Sequence, residues 1–227
     1  MSIDVRGSKM SEGVQSDARP SRLGAWSGVA FVVLFVVGFL MFEVPNDNRS
    51  KAEWQKWWTD SGHRTTAIIG AYLMILAALA FVGFIGNLGR RIPGGGGPLV
   101  TFGSLFAGMV LVSAIARVVI PASNSFGDTP LPPEPLLGDL ARQFDQMGWG
   151  LLLVAGALAA GAFTAVASFS ARQHGILPGW LTMAGYVVAV LQLAGHYFFP
   201  FVTFVVWVLV VSIVLLRHQP RLDTPVP

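Results

Sequence analysis

TTAIIGAYLMILAALAFVGFIGNL, residues 65–88, runs for 24 positions without a charged side chain. As a helix rising 1.5 Å per residue it reaches about 36 Å, enough to cross a hydrocarbon layer of roughly 30 Å. It reads as a membrane-spanning helix.

Three comparable apolar runs occupy residues 26–44, 98–120 and 147–169. A fourth stretch, from Trp180 to Leu216, would measure roughly 55 Å as one helix and contains Pro200, so it is divided into spans 180–199 and 200–216. The last is rich in valine. In hydrocarbon only a helix or a closed barrel satisfies its own backbone, so a helix is expected there too. The expected fold is therefore all-α: a polytopic bundle of about six transmembrane helices over residues 26–217. A polar cytoplasmic tail, residues 1–25, precedes it and a short one, 218–227, follows.

Composition agrees. The 227 residues are 53% hydrophobic and 12% charged, against roughly 25% charged in a soluble domain. There is no cysteine, which excludes disulfides, thiolate metal sites and iron–sulfur clusters. The sequence pI is about 9.7, yet the net charge is only +3 and no basic, aromatic-interleaved domain exists to bind nucleic acid.

The basic residues set orientation instead. Six spans put Arg6, Lys9, Arg19, Arg22, Arg90, Arg91, Arg172, Arg217 and Arg221 on one face. Arg49, Lys51, Lys56, Arg64 and Arg142 fall on the other, and Arg117 lies inside a span. The richer face is cytoplasmic, so both termini are expected inside a plasma membrane.

The outer loops are expected to carry surface helices. Ser50 with Glu53 forms a capping box, and Trp54, Trp57 and Trp58 follow at helical spacing, as anchors in the headgroup layer. A second loop opens at Pro121 and ends in the stripe Leu136, Leu137, Leu140 and Phe144, which feeds the fourth span. On the inner side, Gly94 to Gly97 lacks the Gly-Lys-Ser/Thr ending of a phosphate-binding loop. A faint parallel repeat, in which 60–103 echoes 145–185, is of the kind low-complexity apolar sequence produces by chance.

Small residues mark packing surfaces: Gly156/Ala160 and Ala157/Gly161 in the fourth span, Gly103/Ala107 in the third, Gly185/Ala189 in the fifth. They place spans three, four and five at the centre, with one and six facing lipid. They suit a homo-oligomer or a membrane partner protein equally well.

Polar groups collect on the outer half. Arg117 is a charge well inside a span; Gln192 and His196 end the fifth, His63 opens the second, and Asp145 precedes the fourth. A charge within a span marks a functional suspect, and pairing with an acidic residue is the plainer role for Arg117. Together Arg117, His196, Gln192, His63 and Asp145 define a candidate ligand-binding cluster. No catalytic residue, metal site or cofactor is assigned. Bis-histidine haem and zinc both lack ligands on one side, and Ser113 with His196 has no oxyanion-hole motif beside it.

The Trp-rich first outer loop, the Gly62-His-Arg start of the second span, the turn Arg172-Gln-His-Gly-Ile-Leu-Pro-Gly-Trp180 and the Trp207-centred last span resemble small six-helix integral membrane proteins of actinobacterial type, a family without an assigned function. The resemblance covers most of residues 26–217 and implies a bacterial plasma membrane and no active site. Function is expected to be non-enzymatic, with an outward-facing polar pocket or partner surface. A small-solute or lipid transporter is the alternative, and a membrane-embedded hydrolase the third reading.

Overall fold

The computed structural model describes residues 22–42, 50–93, 96–126 and 136–217. Among them every regular element is helical: α1 (Arg22–Leu40), α2 (Lys51–Thr59), α3 (Ser61–Arg90), α4 (Gly97–Phe126), α5 (Leu136–Gly150), α6 (Ala157–Gln173), α7 (Gly179–Leu191) and α8 (Phe198–Arg217). The tails 1–21 and 218–227 lie outside the described residues.

The uninterrupted run 65–88 lies within α3. Its buried face, Ala67, Ala71, Met74, Ala78, Phe81, Ile85 and Leu88, follows the helical three-and-four spacing. The opposite face is apolar as well, with Ile69, Tyr72, Leu76, Leu79 and Val82 exposed. Helices α1, α4 and α7 expose valines and leucines in the same way. A helix apolar all round needs an apolar medium outside it. Four helical stretches are long and apolar enough to cross a membrane, Ser61–Arg90, Gly97–Ser123, Leu136–Gln173 and Phe198–Arg217, and Gly24–Leu40 and Gly179–Ala194 are shorter apolar helices. The chain is a helical bundle of membrane type.

Phenylalanine fills the middle. Phe31, Phe81, Phe106, Phe163 and Phe204, one from each of α1, α3, α4, α6 and α8, are fully buried. Phe81 has ring centroids 4.8 Å from Phe31, 4.9 Å from Phe106 and 5.2 Å from Phe163, and Phe106 lies 4.9 Å from Phe204. Most of these pairs are edge-on, the arrangement the ring quadrupole favours. This corrects the expectation from small residues: α1 and α8 belong to the core, and α7 sits at the edge, against α6 and α8. Small side chains mark where backbones approach, whereas the volume at the meeting point of five helices is filled by large ones. Where α1 and α3 come closest, a Cβ on Gly38 would lie 2.9 Å from the Gly70 carbonyl.

The expected boundaries shift in four places. α1 begins at Arg22, inside the expected tail, and ends at Leu40, while residues 43–44 lie outside the described set. α4 runs through Pro121 to Phe126 instead of stopping at 120. The fourth span is continuous with the surface stripe before it: α5 passes through a π-helical turn, Leu151–Gly156, directly into α6. The final break falls at Gly195–Tyr197, after a 3₁₀ turn Gln192–Ala194, and not at Phe199–Pro200. Pro200 stands in the first turn of α8, where its missing N–H would be unpaired anyway.

Candidate functional site

Arg117 belongs to the buried face of α4 with Val110, Ser113 and Ala114. On α5 the same spacing buries Leu137, Ala141, Asp145 and Gly148. Packing these faces brings Arg117 Nε to within 2.7 Å of Asp145 Oδ1, with only 1% and 7% of the two side chains exposed. The Arg117 guanidinium lies between two rings, 4.4 Å from the centroid of Phe42 and 4.8 Å from that of Trp149. Its Nη2 reaches the Phe42 carbonyl at 3.5 Å, and Nη1 has no partner.

The backbone is shaped around this side chain. A Cβ on Gly148 would collide with Arg117 Cγ and lie 3.0 Å from the Ser113 carbonyl. Ser113 Oγ donates to the Gly148 carbonyl at 2.7 Å, a second tie between α4 and α5. Four residues past Arg117, Pro121 has no N–H to give to the Arg117 carbonyl. Trp149 meets Phe39 edge-on at 5.4 Å and Phe198 at 6.5 Å. The ion pair joins α4 to α5, and the Trp149 ring beside it carries the contact to α1 and α8. Such a pair fixes which surfaces meet more than it adds net stability, because removing both charges from water is costly.

Asp145 offsets the charge of Arg117 at Nε, while Nη1 stays buried without a partner. Ser113 donates its hydroxyl hydrogen to the Gly148 carbonyl, and His196 is exposed and set against Tyr197 at 3.9 Å between ring centroids. No hydrogen bond joins Ser113 to His196 among the described residues. Those residues also contain no group of three His, Asp or Glu side chains placed to hold a metal.

His63 stands elsewhere, in an open cleft of about 560 Å³ lined by Glu53, Lys56, Trp57, Thr59, Asp60 and His63. The α2 helix that forms one wall starts from the expected capping box, with Ser50 N–H donating to Glu53 Oε2 at 2.9 Å. Asp60 ends α2 and caps α3, accepting from the N–H groups of Gly62 at 2.8 Å and His63 at 3.1 Å. These two bonds, with the nearby His63 and Arg64, hold its carboxyl below the ordinary value. The imidazole of His63 stacks on Trp57, 3.5 Å between centroids and 7° from parallel, and its Nδ1 is 3.7 Å from Asp60 Oδ1. Arg64 Nη1 donates to the carbonyls of Trp58 and Thr59, the last of α2.

The three tryptophans do not share one headgroup-facing surface. Trp54 and Trp58, one turn apart, are almost fully buried, and only Trp57 borders the cleft. The α2 helix is pinned to α5 by the Lys51–Asp139 ion pair at 2.5 Å and by Gly138, where a Cβ would lie 2.7 Å from the Lys51 carbonyl. It lies against α5 with Trp54 and Trp58 buried, and the pairing of α2 with the apolar stripe of α5 is what the linear sequence does not show.

Gln192 is buried at the end of α7, its Nε2 donating to the Pro200 carbonyl at 2.6 Å. Among the packing residues, Gly103 lies against Ile85 and Phe163, Gly161 against Gln192 and the Ala189 carbonyl, and Gly185 against Ser168 and Trp207. Gly156 closes the π-helical turn and Ala160 is fully buried beyond it. The five residues read as one cluster therefore separate. Arg117 and Asp145 meet; His63 lines the cleft; Gln192 and His196 stand at the α7–α8 break. Phe42, Gly148 and Trp149 were missed, although Asp145 and Trp149 lie one helical turn apart, the spacing of a shared face.

No protein-family model, curated protein or solved structure matches the chain.

Proposed function

We propose that the chain is a non-enzymatic, multi-pass protein of a bacterial plasma membrane, crossing six times with both termini cytoplasmic, whose outer end recognises a polar ligand or partner. The excess of Lys and Arg on the tail and the two short inner turns supports the orientation. The observation that carries the reading is the division of labour among the outer polar groups. Arg117 and Asp145 neutralise each other inside the protein, while Glu53, Lys56, Asp60 and His63 border a cleft open to the outside. Recognition belongs to the second set, and the buried pair holds the helices that support it.

The cleft offers an acid, a base and a ring side by side, which suits small zwitterions or a charged peptide segment. A thermal-shift screen of amino acids, polyamines and charged peptides against the purified protein tests this. A binder should raise the melting temperature of wild type, and Lys56→Ala and Asp60→Asn should each weaken it at least fivefold. If no compound on the panel binds, or binding survives both substitutions, the cleft is not the recognition site. A reporter fused after Pro227 that is active only on the periplasmic side would overturn the orientation.

A further inference from the structure

Within the outer cleft, one lining group already sits as a bound ligand would. The imidazole of His63 lies flat on the indole of Trp57, 3.5 Å between centroids and 7° from parallel, and its Nδ1 edge is 3.7 Å from Asp60 Oδ1. A planar nitrogen cation is held in this pattern, with one face on an aromatic ring and one N–H edge toward a carboxylate.

The imidazole is the loose part of the arrangement. Its Nδ1 makes no hydrogen bond, and 3.7 Å is too long for one. The side chain is 40% exposed and belongs to the first turn of α3, so a change of rotamer swings it out without moving the backbone. Ring stacking holds it in, an advantage of about two- to tenfold in equilibrium terms. The wall behind it is firmer. Trp57 packs against the hydrophobic core, Arg64 Nη1 ties down the last two carbonyls of α2, and Asp60 is held by the Gly62 and His63 amides. The indole and the carboxylate therefore keep their places when the imidazole leaves.

A guanidinium suits that place better than the imidazole does. It is planar and always charged, it stacks on aromatic faces, and it meets a carboxylate through two parallel N–H bonds. An ammonium is a compact point charge and does not cover a ring. Glu53 adds a second acid to the lining, and Lys56, one turn before Asp60, offers a cation to a carboxylate. A small molecule with a guanidinium at one end and a carboxylate at the other matches both.

We infer that His63 is a built-in occupant of a guanidinium site, covering the Trp57 face until a small guanidino acid such as free arginine displaces it and pairs with Asp60. The inference rests on the cleft being the recognition site, and it names both the ligand class and the contact that opposes binding.

The test uses the full-length protein in detergent with its histidines isotope-labelled. NMR reads the His63 ring protons, which the Trp57 ring current shifts upfield, and His63→Ala assigns them. L-arginine should move them downfield as the stack opens. L-citrulline, of the same shape without the charge, and L-lysine, charged but not planar, should leave them in place at the same concentration. In the concentration dependence of the thermal shift, His63→Ala should bind L-arginine about three- to tenfold more tightly than wild type, the reverse of losing an ordinary contact. Trp57→Leu should weaken binding about fivefold. The wild-type NMR reading stays decisive where a variant fails to fold. Arginine that binds with the His63 protons unmoved, or more weakly to His63→Ala than to wild type, overturns the inference, as does a cleft that binds other compounds and not arginine; the cleft remains the recognition site in each case. Absence of binding by every compound overturns both readings.

Discussion

The Cγ of Arg117 occupies the space in which Gly148 would carry a side chain. The two residues come from α4 and α5, and their contact lets the guanidinium lie between Phe42 and Trp149 with Asp145 at its Nε. Gly148→Ala should therefore push the Arg117 side chain out of place and destabilise the protein by about 1–3 kcal/mol, the usual effect of overpacking. At Gly150, two residues on, a Cβ would meet no atom within 4 Å, and Gly150→Ala should be neutral or stabilising by about 0.5–1 kcal/mol. Melting temperatures of the two variants in one detergent check the contrast, and equal effects would show that Arg117 does not depend on Gly148.

Removing one charge of the buried pair leaves the other uncompensated. Asp145→Leu and Arg117→Leu should each cost roughly 3–5 kcal/mol, and the double variant distinctly less than the sum. A double-mutant cycle by denaturant unfolding measures this. Strict additivity would mean that the charges act separately.

Phe81 touches the rings of four other helices, whereas Leu79, two residues earlier, is 58% exposed on the outside of the bundle. Phe81→Ala should destabilise by about 3–5 kcal/mol through the cavity it leaves. Leu79→Ala exchanges one apolar contact with lipid for another and should change stability far less. Comparable losses at both positions would argue that Leu79 is packed in the assembled protein.

How far this arrangement is legible in the chain depends on the physical signal. The uninterrupted apolar runs reveal the helices, because length and the absence of charge are local properties, and the Ser50/Glu53 capping box is equally local. Which helices fill the centre is not local. Gly156, Ala160 and Gly161 signal close approach, but only the assembled fold shows that Phe31 and Phe204, on helices expected to face lipid, meet Phe81 and Phe106. The polar groups behave the same way. Arg117 is costly within a span, and Asp145 is an acid at the mouth of the next one; their pairing depends on which face of α5 packs on α4, which linear spacing does not fix. His63 and His196 share an outer end in the linear reading and nothing more.

Asp60 links stability to pH. Its folded carboxyl titrates below the ordinary value of 3.8, because the anion accepts the N–H groups of His63 and Gly62. A lowered folded pKa means that its contribution is fully present above the unfolded value and fades as pH falls through the folded one. The start of α3 should accordingly lose protection only below about pH 4. Hydrogen exchange of the Gly62 and His63 amides, compared between wild type and Asp60→Asn, follows this directly. The wild-type amides should exchange faster on acidification beyond the ordinary pH trend, and those of the variant should follow the ordinary trend. An identical pH response in both would show that the carboxylate does not hold the helix start.

The break before α8 allows a last comparison. Gly195 fits against Ala157, and a Cβ there would lie only 3.0 Å from the Leu153 carbonyl, so the chain turns where α7 meets the π-helical segment. Gly195→Ala should destabilise by about 1–3 kcal/mol, since neither neighbour is the free end of a flexible side chain. Pro200, the residue that sequence reasoning selects for the break, acts through a carbonyl that any amino acid carries, accepting from Gln192 Nε2 and Thr203 Oγ1 at 2.6 Å each. Pro200→Ala keeps both bonds and occupies a first helical turn, so it should shift stability by no more than about 1 kcal/mol. Thermal unfolding ranks the two variants. A larger loss for Pro200→Ala than for Gly195→Ala would move the hinge back to the proline.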